Sequence, residues 1–110
     1  KNSWSIIKKN WATGTGIGNY TLALNRQRPG QESFYYQPAH NVFLLVWAEI
    51  GVLGFIFFLG LLFVIASDRA VLIALIILLF FDHWLWSLHF GVLFFWLVLG
   101  LAANSETEKN

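Results

Sequence analysis

The stretch VFLLVWAEIGVLGFIFFLGLLFVIA, residues 42–66, decides the fold. It runs 25 residues with Glu49 as its one ionisable side chain. At the α-helical rise it spans about 37 Å, enough to cross a hydrocarbon core of about 30 Å with some tilt. A membrane-crossing helix is expected here. A charge at the bilayer centre costs about 2.5–3.5 kcal/mol on insertion scales, so Glu49 is expected to face protein or water. A hydrogen-bonded structural role and a functional one fit it equally. Gly60, eleven positions on, falls on nearly the same helical face, which predicts that this face packs inward. Gly51 and Gly54, one turn apart, predict the close approach of a neighbouring helix.

Downstream, residues 70–81 form a shorter apolar run with a reach of about 18 Å. Residues 85–103 carry His89 as their only ionisable group and are long enough to span. Together the two runs are too long for one crossing and slightly short for two. The favoured arrangement is two short helices meeting at a turn around Asp82-His83, with Trp84 and Trp86 anchored at headgroup level. The predicted fold is therefore all-α and integral to the membrane. It has about three transmembrane helices (42–66, 70–81 and 85–103, the second short), a partly helical segment over 1–41 and a polar tail over 104–110.

Composition agrees. Hydrophobic residues make up 57% of the 110 residues and charged ones 12%, against about 45–50% and about 25% in soluble domains. A net charge of +1 excludes a nucleic-acid binder, which needs a basic face. With no cysteine, a disulfide framework, a thiolate nucleophile and a Cys-ligated metal centre are excluded. The chain also has no methionine and no secretory-type apolar segment near its start, so it reads as the C-terminal portion of a longer polytopic protein.

Upstream of the long run, residues 1–11 place Trp4, Ile7 and Trp11 three to four apart, which suits a helix lying flat on a membrane surface. Gly14-Thr15-Gly16-Ile17-Gly18-Asn19-Tyr20 reads as a loop in which glycine permits positive φ and close approach of backbone to a ligand. Its Gly-x-Gly-x-Gly spacing is not a dinucleotide fingerprint, and no βαβ unit surrounds it. Asn19-Tyr20-Thr21 matches a glycosylation sequon, a match short enough to arise by chance.

His40-Asn41 stands at the mouth of the first span. Asn41 is a strong N-cap for a helix starting at Val42. His40 then sits at the positive end of a long helix, which favours an anion nearby and disfavours imidazolium. A neutral imidazole there accepts a proton near pH 7. A metal site is not expected, because His83 and His89 are six apart and do not share a helical face, and no His-Glu-x-x-His pattern occurs.

His40-Asn41, nine residues, then Gly51-Val52-Leu53-Gly54 resembles the signature of the O-antigen ligase and polymerase family. These are bacterial polytopic glycosyltransferases that use polyprenyl-diphosphate-linked glycans. Gly14 to Tyr20 is similar to the glycine-rich part of the family's large extracytoplasmic loop, Ala48-Glu49-Ile50-Gly51 to its Glu-x-Gly turn, and Asp82-His83-Trp84-Leu85-Trp86-Ser87-Leu88 to the segment before its last span. His89 departs from the family, where Gln is common.

The resemblance implies His40 as the catalytic general base, with Arg26, Arg28, Gly16, Gly18, Asn41 and Glu49 as candidates for binding the diphosphate and glycan. It implies a polyprenyl-diphosphate-linked glycan donor, a lipid- or protein-linked acceptor, contact with membrane lipid, and no metal or other cofactor. It also places residues 1–41 outside the plasma membrane of a bacterium. Charge asymmetry points the other way, with Lys1, Lys8, Lys9, Arg26 and Arg28 before the first span against Arg69 and Lys109 after it. From the residues alone, a non-catalytic small membrane subunit packing through Gly51, Gly54 and Glu49 also fits.

Overall fold

A computed structural model of the chain describes residues 2–65 and 69–107. Among the described residues every regular element is helical: α1 (Asn2–Lys9), α2 (Tyr20–Gln27), a 3-10 turn (Ser33–Tyr36), α3 (Val42–Ile65), α4 (Arg69–Phe81), α5 (Trp84–Ser87) and α6 (His89–Thr107). The polar interruption at Ser67-Asp68 and the last three residues lie outside the described ones. Among the described residues one helix, over Val42–Phe63, is long and apolar enough to cross a membrane, with shorter apolar helices over Ala70–Phe81 and His89–Asn104. The turn at Asp82-His83 falls where the sequence places it. The third predicted helix is divided at Leu88, whose backbone is extended at φ −101° and ψ 135°. Gly91 permits the reversal: a Cβ there would lie 1.9 Å from the Trp84 carbonyl oxygen.

The long helix is broken. Gly51 has φ 73° and ψ −177°, so α3 is two helical pieces in one element. The break frees backbone groups that an apolar surrounding cannot satisfy. The loop after α1 satisfies them. Thr15 N–H donates to the Ala48 carbonyl at 2.9 Å and Gly16 N–H to the Glu49 carbonyl at 2.8 Å, while Val52 N–H donates to the Trp11 carbonyl at 2.9 Å. Backbone meets backbone here because neither side carries a Cβ. At Gly14 (φ 70°) one would lie 2.3 Å from the Glu49 carbonyl oxygen, and at Gly51 one would lie 2.1 Å from that of Ala12.

Three expectations change as a result. Gly51 admits a loop rather than a neighbouring helix, and the nearest atoms to a Cβ on Gly54 belong to Ile50 of its own helix. Gly60 is exposed, with nothing within 4 Å of its would-be Cβ, because the break resets the helical phase and turns Phe58 and Leu62 inward instead. And Ile7 parts from Trp4 and Trp11: it is buried with Ile6 against the protein, while both tryptophans are more than half exposed.

Two apolar clusters follow. Ile6, Ile7, Tyr20, Leu24, Leu45 and Ala48 close the end formed by α1, α2 and the head of α3. Phe58 and Leu62 of α3 meet Leu75 and Leu79 of α4 and Phe95 and Leu99 of α6. Trp86 packs against both clusters and so joins them. Outward, Leu53 (77% exposed), Phe57 (72%) and Phe90 (76%) present an apolar exterior suited to lipid or to another helix.

Candidate functional site

The head of α3 organises the site. The Asn41 side-chain Oδ1 accepts the Leu44 N–H at 3.1 Å, and its carbonyl accepts Leu45 N–H at 3.0 Å, the pattern of an N-cap. That bond occupies Asn41 and leaves His40, one residue earlier and exposed, at the electropositive end of the helix.

Glu49 is only 4% exposed. Its Oε1 accepts Tyr20 N–H at 3.4 Å and its Oε2 accepts Trp86 Nε1–H at 3.0 Å. One carboxylate thus caps the positive start of α2 and ties α3 to α5, which is why a buried acid is tolerated here. The Tyr20 hydroxyl lies 2.7 Å from Ser3 Oγ, and burial pushes its pKa above the usual tyrosine value against the opposing effect of the Ser3 bond.

Beside Glu49 opens a cavity of about 460 Å³, bordered by Gly18, Tyr20, Thr21, Trp86 and His89. Gly18 has φ 75° and open space where a Cβ would stand, so only its backbone conformation favours glycine there. Gly16 instead gives its N–H to α3. A second, more polar hollow of about 310 Å³ holds Arg26 together with Lys9, Asn10, Thr15 and Asn19. Arg28 is directed elsewhere: its guanidinium donates to Tyr35 Oη at 2.5 Å, and Tyr36 Oη donates to the Arg28 carbonyl at 2.7 Å. Neither arginine borders the cavity at Glu49.

Tertiary structure adds groups that spacing does not reveal. Asp82 and His83, in the turn between α4 and α5, come up beside His40, and the two imidazole centroids are 5.3 Å apart. Lys9 joins Arg26 from α1, and two cations in one polar hollow favour an anion. Trp86 supplies the indole that holds Glu49. The Asp82-His83 pair was visible as a motif, but nothing local to it indicates a partner 42 positions away. Chemically, the described residues offer an exposed imidazole, a cationic hollow and a mostly apolar cavity, and His40 borders neither of the two spaces.

No curated protein and no solved structure matches the chain. A family model described as O-antigen ligase matches residues 1–59, from α1 through the glycine loop, His40-Asn41 and the break at Gly51. By that match over more than half its length, the chain belongs to the O-antigen ligase family, membrane proteins with a role in glycan transfer.

Proposed function

We propose that the chain is the acceptor-activating portion of a bacterial membrane glycosyltransferase of the O-antigen ligase type. It takes a glycan from a polyprenyl diphosphate and delivers it to an acceptor hydroxyl. In this reading α3, α4 and the α5–α6 pair are three membrane passages in the plasma membrane. Residues 1–41 lie on the outer face, and the polar residues from 104 onward lie on the other side. The basic residues of the first segment then serve the diphosphate rather than marking the cytoplasm.

The acceptor O–H gives its proton to the neutral ring of His40 as its oxygen attacks the anomeric carbon. The bond from that carbon to the diphosphate oxygen breaks, the electron pair leaves with the polyprenyl diphosphate, and configuration inverts in one displacement. General-base help of this kind is worth about 10²–10⁴ in rate. Arg26 with Lys9 stabilises charge growing on the leaving diphosphate, and Arg suits it through its bidentate fork. Arg28, Asn41, Gly16 and Glu49 contribute by shaping the loop and the helix head around these groups, and Gly18 borders the space left for the glycan.

The observation that carries the reading is His40, exposed and one residue before a capped helix that opens the long apolar element. In the full-length enzyme, His40→Ala should lower glycan transfer by about 10²-fold or more while leaving membrane insertion intact. Transfer at the wild-type rate would remove His40 from the chemistry.

A further inference from the structure

His40, Asp82 and His83 each present one atom able to bind a cation, and these three atoms lie within 4.8 Å of one another. Two are imidazole nitrogens and one is a carboxylate oxygen, a set that suits zinc and its neighbours in the transition series rather than magnesium or calcium. Donors about 2.0–2.2 Å from zinc stand closer together than this. Drawing in by about 1.5 Å is within the rotation of an exposed side chain that precedes its helix, as His40 does.

The outer groups are arranged as such a site needs. Ser87 Oγ donates to the His83 carbonyl at 3.0 Å, so at its 2.5 Å contact with His83 Nδ1 the ring is the donor. That fixes the proton on Nδ1 and leaves the Nε2 lone pair free. The Asp82 carboxylate is held in turn, its Oδ1 accepting the His83 backbone N–H at 2.7 Å.

We propose that His40, Asp82 and His83 form a binding site for a zinc-class divalent cation, and that its occupancy inhibits glycan transfer. The inhibition rests on the general-base reading above; the binding does not. A cation coordinated by His40 uses the lone pair that must receive the acceptor's proton, so occupancy and transfer exclude each other. Three protein ligands leave a fourth position for water, as in open zinc sites.

Calorimetry with zinc chloride on the intact, untagged protein in detergent tests the binding. One zinc per chain is expected, with no response to magnesium chloride. His83→Ala should weaken binding by about 100-fold or more and Ser87→Ala by about 10–100-fold, while His89→Ala leaves it unchanged. Absence of saturable binding, or equal loss in the His83 and His89 variants, overturns the site. In transfer assays zinc should inhibit the wild type and not His83→Ala, and a rate that rises with zinc overturns the inhibition. The two readings fail separately. Transfer surviving in His40→Ala sinks the base and leaves the calorimetry standing, whereas missing zinc binding sinks the site and leaves the base.

Discussion

The two pieces of α3 on either side of Gly51 are both strongly apolar and live in different surroundings. Before the break, Leu45, Ala48 and Glu49 are buried against α1, α2, the glycine loop and Trp86, while Val42 and Val46 join the core shared with α4 and α6. Beyond it, Leu53, Ile56, Phe57 and Phe63 are exposed, and Phe58 and Leu62, with the partly buried Phe55, face that same core. Hydropathy does not reveal that difference in surroundings. Hydrogen bonding does, because only the first piece shares its carbonyls with another segment of chain.

The comparison breaks most readily at Gly51. Gly51→Ala forces a side chain onto φ 73° and against the Ala12 carbonyl. The backbone strain alone costs about 1–3 kcal/mol, and the clash adds to it. The loop should undock, seen as faster hydrogen exchange at the Thr15 and Gly16 amides and a lower Tm in detergent. Unchanged exchange at those two amides would contradict the docking.

A smaller loss tests the tie through Glu49. Trp86→Phe removes the Nε1–H donor and keeps a ring against Phe58, whose centroid is 5.5 Å away. Leaving one buried carboxylate oxygen unpaired costs about 1–3 kcal/mol. Trp96→Phe, at a residue 49% exposed, is the control and should stay within about 0.5 kcal/mol. Equal Tm shifts in both variants would mean that the indole bond contributes nothing.

The smallest effect belongs to the far piece and has the opposite sign. Gly60 is helical, with open space where a Cβ would stand. Gly60→Ala should therefore raise stability by up to about 1 kcal/mol through helix propensity. A Tm that falls would show that the far piece is as tightly enclosed as the near one.

The site was legible only in part. His40-Asn41 and the glycine pattern stand out because capping chemistry and chain reversal are local properties. The glycine loop was visible but its partner was not: it receives the backbone of α3, where a ligand was expected. Nor did spacing bring Asp82 and His83 to His40, because helical-face arithmetic holds within one element and not between two.

By itself the sequence determined an all-helical chain with a long apolar segment over 42–66, a capped start at Val42 and a turn at Asp82-His83. Those features follow from hydropathy, capping and propensity, which act over a few residues. Only the tertiary structure decided where the long helix breaks, which segment satisfies the break, and which ionisable groups surround His40. Each of these depends on backbone and side chains far apart in sequence meeting within hydrogen-bonding distance, which no local pattern encodes.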